Sequence, residues 1–400
     1  MAKVSSSKSL EARVPKLRFR DDNCNDYPQY QHETVGALFA HISQRNTDMT
    51  NNNVITNSAE FGLIPQREFF DKDIAVEGNT DKYFIIEQGD FVYNPRKSST
   101  APYGPFNCYQ GKEKGIVSPL YTCLKPLHKE YTDYLLWYFR ASAWYSYIYH
   151  NGAQGGARHD RVGMTNQLMD GIPVNLPCLD EQLKVSRFLS TLDSRIGKQR
   201  QLVEALKLYK RGLLNRLFNG GCDLSWHTIN LGEMCSITMG QSPDSASYNI
   251  DKIWLPLVQG NADITDGVTT PHRYTTSPTK TCESGAVILS VRAPVGSVSR
   301  ANQKICLGRG VCAITSQNTE FIYQLLIYHQ DTWKRIEQGG TFTAISSDNI
   351  SSFAVSVPNI ETQNYISSLL SKYDSKVRNE ETILRVLQNQ KAALLQSLFI

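Results

Sequence analysis

One stretch of this chain occurs twice, and any fold for it has to place both copies. Residues 174–218 lie on residues 355–399 without a gap, displaced by 181 positions. Of the 45 pairs, 14 are identical: Val174, Pro177, Gln182, Ser186, Leu189, Ser190, Asp193, Ser194, Leu206, Lys210, Leu213, Leu214, Leu217 and Phe218 each recur 181 residues later. Chance would supply about 3. In the first copy Val185, Leu189, Leu192, Ile196, Gln199, Val203, Leu206, Lys210, Leu213 and Leu217 step by four and three. The second copy keeps that register with Ile366, Leu370, Tyr373, Val377, Glu380, Leu384, Leu387, Lys391, Leu394 and Leu398. Such stepping is the seam of a coiled coil.

Pro177 and Pro358 bar helix upstream, and Asp180, Glu181 and Glu361 put negative charge on the first turns, where the helix dipole favours it. Asn219-Gly220-Gly221 ends the first helix. From Glu181 to Phe218 the helix makes a rod of roughly 57 Å at 1.5 Å per residue. Each rod has one apolar stripe, so the two are expected to pack on each other. Were the pair antiparallel, the polar seam positions would suggest a register with Lys210 facing Glu380 and Gln199 facing Lys391, which avoids unpaired buried charge. The competing reading is that these long side chains snorkel to the seam edge.

Between and before the rods lie two blocks. Four hundred residues are too many for one core and suggest two to four domains. The boundaries fall at 1–27 (a polar segment, only partly ordered), 28–173 (first block), 174–221 (first rod), 222–354 (second block) and 355–400 (second rod). In the first block Tyr83-Phe84-Ile85-Ile86, Asp90-Phe91-Val92-Tyr93 and the run from Ile116 to Leu124 read as strands, with turn signals at Gly78-Asn79 and Gly89-Asp90. Tyr131 to Tyr149 reads as the main helix, its aromatic residues packing the core rather than stacking on bases. The second block resembles the first in outline. At an offset of 196, Tyr30 falls on Trp226, Gly36 on Gly232, Gly89 on Gly285 and Arg96 on Arg292. Phe321 to Trp333 parallels the aromatic helix, and Gln338-Gly339-Gly340-Thr341 parallels Gln154-Gly155-Gly156-Ala157. The chain is therefore a tandem duplication, block–rod–block–rod.

The net charge of +4 is mild but uneven, since Lys184 to Arg216 holds nine Lys/Arg against Asp193 and Glu204. That face is either simply solvated or meets nucleic acid or an acidic partner. Nine cysteines include no Cys-x-x-Cys pair, and Cys306-x5-Cys312 lacks histidines at metal spacing. They read as reduced, buried, intracellular thiols. With no signal peptide and no run of about 18 apolar residues, a cytoplasmic protein is expected.

No phosphate loop, dinucleotide fingerprint, zinc-protease motif or nucleophile elbow is present. Asn94-Pro95-Arg96-Lys97 lacks the second proline and the aromatic of an amino-methyltransferase motif, and no nuclease triad of acid, acid and lysine is found. The Gly-rich loops at 151–161 and 338–343 follow helices, which does not suit a nucleotide-binding turn. The first carries Arg158, His159 and Arg161, and the second Gln338, Thr341 and Thr343. Arginine can grip guanine or phosphate and glutamine can grip adenine, although a surface loop without contacts is the plainer reading. Arg96 with Lys97, Arg292 and Arg309 complete the candidate DNA-contacting set.

Leu176-Pro177-Cys178-Leu179-Asp180-Glu181-Gln182 and Val357-Pro358-Asn359-Ile360-Glu361-Thr362-Gln363 resemble the Pro-x-x-Glu-Gln helix starts of the specificity subunits of type I restriction-modification systems. Similar too are Pro15-Lys16-Leu17-Arg18-Phe19, Gly240-Gln241-Ser242-Pro243 and the Gly-Gly loop before each rod. The likeness covers nearly all of the chain, and its specificity lies in the ordered repetition. It implies an α+β fold: two α/β target recognition domains in tandem pseudo-twofold arrangement, separated by two long helices forming an antiparallel coiled coil. Each block would then read one half of a bipartite double-stranded DNA target, with the coil as ruler. Two methyltransferase subunits, and two restriction subunits in the full complex, would be the partners. S-adenosylmethionine, ATP and magnesium would belong to those partners, and this chain would not be catalytic. The second rod departs from the pattern with Thr362 and Asn364 where the first has Glu181 and Leu183. A stand-alone DNA-binding regulator and an enzyme fused to its own reader are the alternatives.

Overall fold

The computed structural model describes residues 15–69, 80–152, 160–219, 226–338 and 344–400. Arg158, His159, Thr341, Thr343, the turn signal at Gly78-Asn79 and most of the Asn219-Gly220-Gly221 stop lie outside the described residues. Both repeats are helices, at Leu179–Phe218 and Ile360–Leu398. The chain divides into two compact units, Met1–Lys198 with Leu384–Ile400 and Gln199–Ile383, so each unit holds one block and a stretch of both rods.

In the first unit, strands Phe39–His41, Thr122–Pro126, Phe91–Tyr93 and Phe106–Cys108 form an antiparallel sheet in that spatial order. Helix Thr132–Arg140 lies against it, burying Tyr134, Leu135, Trp137, Tyr138 and Phe139 beside Val185, Leu189, Leu398 and Phe399 of the rods. Most of the aromatic segment is thus core, with Tyr149 exposed, and it is two helices rather than one, the second spanning Tyr145–Asn151. Trp144 is buried at the break, and its indole N–H takes the Phe139 carbonyl at 3.2 Å, an acceptor that a continuing helix would have used itself. Ile116 to Leu124 likewise divides. Gly115–Val117 pairs with Phe84–Ile86, Thr122–Pro126 joins the sheet, and Tyr121 N–H closes a turn onto Ser118 across Pro119.

The second unit carries a six-stranded and a five-stranded sheet. Strand Val287–Ser290 is buried along its whole length between Val298–Arg300 and Val311–Thr315. Helix Thr319–Tyr328 covers that sheet, and helix Gln330–Gln338 follows it with Trp333 buried against Phe353. Each unit closes with the same device. Gln31–Thr34 pairs with Pro173–Leu176, and His227–Asn230 with Ala354–Val357, and the second strand of each ribbon runs through its proline into a rod. The matched Gly36 and Gly232 permit these closures: a Cβ on either would come within 2.9 Å of the Cβ of Asp170 or Ser351.

The rods pack antiparallel within each unit, and every seam position named above is buried or half-buried. The register is not the one with Lys210 on Glu380. Lys210 pairs with Asp374, Lys391 pairs with Asp193, and Gln199 donates to Glu380 at 2.7 Å. The two seam lysines find carboxylates one position beside the stripe, whereas Gln199 and Glu380 meet on it.

Residues 15–27 are docked on the first rod. Arg18 forks onto Glu181 at 3.0 and 2.8 Å, Tyr30 Oη reaches the same carboxylate at 3.3 Å, and Phe19 meets Phe188 edge-on. Glu181 is wholly buried, a position that demands such a partner. Five cysteines (Cys108, Cys123, Cys282, Cys306, Cys312) are buried as expected, but Cys178 and Cys235 are half-exposed and Cys24 is exposed. Burial pushes the Cys108, Cys123 and Cys312 thiols up to about 12, which keeps them protonated.

The seam dominates rod stability. Leu370→Ala, at a fully buried position, is expected to cost about 3 kcal/mol. Leu208→Ala, at a position 71% exposed, should stay within about 0.5 kcal/mol. Denaturant unfolding of the full chain measures both.

Candidate nucleic-acid interface

In the first unit the buried strand Phe91–Tyr93 ends in Asn94-Pro95-Arg96-Lys97. Asn94 holds this exit in place. Its Nδ2 donates to the Asn57 carbonyl at 3.2 Å, while its Oδ1 accepts from Arg96 N–H at 3.0 Å and turns the chain outward. The strand leaving the Gly-rich loop then runs alongside, with Lys97 N–H on the Asp160 carbonyl at 2.8 Å and Val162 N–H on the Pro95 carbonyl at 2.9 Å. Arg96 and Arg161 are therefore directly opposed. Arg96 and Lys97 are exposed and Arg161 is half-buried, its Nε without a hydrogen-bond partner among the described residues.

The second unit repeats the arrangement. Strand Val287–Ser290 leads to Val291 and Arg292, and the end of the second Gly-rich loop returns so that Ala344 opposes Arg292 and Ile345 N–H bonds the Val291 carbonyl at 2.8 Å. Val291 N–H in turn takes the Gly310 carbonyl at 2.9 Å, which brings in the loop Gly308-Arg309-Gly310. That loop is tied to two more. Arg309 N–H donates to Ser242 Oγ at 3.2 Å, Gln241 N–H to the Leu307 carbonyl at 2.9 Å, and Gly308 N–H to the Val258 carbonyl at 2.8 Å. A Cβ on Gly310 would overlap the Gln259 carbonyl oxygen, so this approach is open only to glycine.

The outcome is a cluster with Arg292, Arg309 and Gln241 exposed and Ser242 and Gln259 half-exposed. Gln259 Nε2 donates to Tyr248 Oη at 3.2 Å. Among the described residues, Arg96, Lys97, Arg161, Arg292 and Arg309 join no ion pair. Exposed cations with no internal partner are free for phosphate or for the guanine edge, and glutamine amides can pair with adenine. Gln241, Ser242 and Gln259 were not among the sequence candidates. The signal that could have found them is the glycine set Gly240, Gly308 and Gly310, which marks where backbones converge. Gln338 ends a helix.

The basic first rod is partly neutralised, since Lys184, Lys207 and Lys210 are taken up by Asp22, Glu381 and Asp374. Among the described residues no group of three His, Cys, Asp or Glu could hold a metal ion, and no helix is long and apolar enough to cross a membrane.

Architecture and contact chemistry separate cleanly at neighbouring positions. Gly310→Ala is expected to cost roughly 2 kcal/mol in denaturant unfolding, because the Gln259 backbone must move. Arg309→Ala, on an exposed side chain, should cost less than about 0.5 kcal/mol. Both should weaken binding to double-stranded DNA.

Residues 224–389 match the family described as the type I restriction modification DNA specificity domain. A putative type I restriction enzyme MjaX specificity subunit from Methanocaldococcus jannaschii is 28% identical over 321 residues, 74% of each chain. Two solved structures share the fold. The S subunit of a type I restriction-modification system from M. genitalium has a TM-score of 0.61 at 16% identity, covering 97% of this chain and 99% of that one. A chain from a study of complex assembly and conformational transition of the type I R-M system has a TM-score of 0.59 at 22% identity, covering 94% and 98%.

Proposed function

Because the chain belongs to the specificity subunits of type I restriction-modification systems, we propose that each of its blocks reads one half of a split double-stranded DNA target and that the paired rods set the gap. The observation that carries this reading is the recurrence, in both units, of arginines in no ion pair among the described residues, where a buried strand is met by the residues that follow a Gly-rich stretch. In the first unit Arg96, Lys97 and Arg161 supply the charge; in the second Arg292 and Arg309 do, with Gln241 and Gln259 offering amides beside them. The residue types suit DNA on two counts. Phosphate contacts position the protein, and forked donors on base edges discriminate. Arg158, His159, Gln338, Thr341 and Thr343 would extend the two surfaces.

The chain itself is proposed to be non-catalytic. Two methyltransferase subunits would dock on it, and two restriction subunits would complete a cytoplasmic nuclease. S-adenosylmethionine, ATP and magnesium would be held by those partners. Rods of 40 and 39 residues are long enough, at about 1.5 Å per residue, to exceed one DNA turn of about 34–36 Å.

Methylome sequencing of a strain with and without this chain is expected to give a two-part motif that depends on it. Deleting one four-residue step from each rod should shorten the unspecified gap and leave both half-sites unaltered. An unchanged gap would sink the ruler. Tight DNA binding by the purified chain, without any gain from methyltransferase subunits in a shift assay, would favour a stand-alone regulator instead.

A further inference from the structure

We propose that Asp193 and Asp374 are positioning residues that clamp each block to the paired rods, so that the gap between half-sites is discriminated and not merely spanned. This rests on the split-target reading above. The two aspartates are copies of one another, as are Lys210 and Lys391, all at the displacement of 181. In the first unit Asp193 receives the ammonium of Lys391 from the other rod; in the second, Asp374 receives that of Lys210.

Each aspartate also receives a guanidinium from its block. Arg140, the last residue of helix Thr132–Arg140, lies 3.6 Å from Asp193. Arg300, the last residue of strand Val298–Arg300, forks onto Glu320 at 3.0 and 2.5 Å and lies 3.4 Å from Asp374 with the same guanidinium. The two arginines do not correspond: one ends a helix before its rod, the other a strand well upstream of its helix. Divergent blocks have therefore reached the same carboxylate from different elements. Each guanidinium is braced by an aromatic face, Arg140 over Trp137 at 5.1 Å and Arg300 over Tyr323 at 3.4 Å. The fully buried Gln324 adds a hydrogen bond to Asp374 at 2.7 Å.

Apolar seams are non-directional and resist sliding only weakly, whereas a carboxylate held between an ammonium and a planar guanidinium fixes both translation and rotation. Slipping one rod by a turn moves it about 5.4 Å and breaks the lysine contacts on both aspartates. One base-pair step is about 3.4 Å, so the clamp is stiff on the scale that matters for gap length.

The test uses the methyltransferase complex assembled with the full chain. Methylome sequencing is carried out for the unaltered chain, Asp193→Asn, Asp374→Asn, Arg300→Gln and Asp374→Glu, with thermal unfolding of each chain. Asp374→Asn and Asp193→Asn are expected to keep both half-sites while methylating sites whose gap is one base pair longer or shorter. Discrimination against those gaps should fall by roughly tenfold, the scale of one charge-assisted hydrogen bond. Arg300→Gln, which substitutes no rod residue but gives up the Glu320 pair together with the Asp374 contact, should do the same, and Asp374→Glu should recover most of the loss. Unchanged gap discrimination in Asp374→Asn and Arg300→Gln overturns the proposal. So does loss of methylation at every site together with early unfolding, which would make the aspartates merely structural, or a changed half-site. If the unaltered chain itself yields no two-part motif, the split-target reading fails first and the clamp falls with it.

Discussion

An apolar stripe on a helix too polar to be buried has to be covered, and both rods of this chain carry one. The stripes cover each other, and residues near the ends of the rods are built into the cores of the blocks. Val185 and Leu189 with Leu398 and Phe399 belong to one core, and Leu214 and Leu217 with Ile366 and Leu370 to the other. Folding of each block is thereby tied to pairing of the rods. This dependence also explains why the repeat is clearest in the rods: its residues answer to two packing partners at once.

Within that arrangement the blocks differ in content but agree in how they are held. Each opens and closes on a two-stranded ribbon that feeds its rod, and each presents a strand end where the Gly-rich loop returns. The cations at that strand end have no internal partners among the described residues, whereas Arg18, Arg140 and Arg300 are all committed to carboxylates. The distinction matters more than the count of basic residues. A positive charge already neutralised within the fold contributes little to binding an anion, and Lys184, Lys207 and Lys210 of the first rod are examples.

Much of this was legible in the sequence because it rests on periodicity and on exact repeats. The seam positions, the proline-led helix starts, and the glycines Gly36 and Gly232 all follow from local spacing. The opposition of Arg96 to Arg161 and of Arg292 to the second loop was foreshadowed only by their residue types. The register differs from the expected one for a physical reason: a lysine side chain is long enough to leave the stripe, so Lys210 and Lys391 reach Asp374 and Asp193 beside it rather than partners on it. The break in the aromatic helix depends on a tertiary hydrogen bond from Trp144, and the break after Val117 on a turn at Pro119 that the hydrophobic run concealed. The cluster of Gln241, Ser242 and Gln259 joins segments far apart in the chain, beyond what spacing can show.

The register of the rods is the claim on which the rest depends, and a double-mutant cycle tests it most directly. Lys210 and Asp374 have side chains only 17% and 13% exposed, so their pairing should be strongly coupled. Unfolding of the Lys210→Met, Asp374→Asn and doubly substituted chains is expected to give an interaction energy of about 1–3 kcal/mol. The matching cycle for Lys210 and Glu380 should give a value near zero. Strong coupling to Glu380 and none to Asp374 would contradict the register, and with it the clamp that joins each block to the rods.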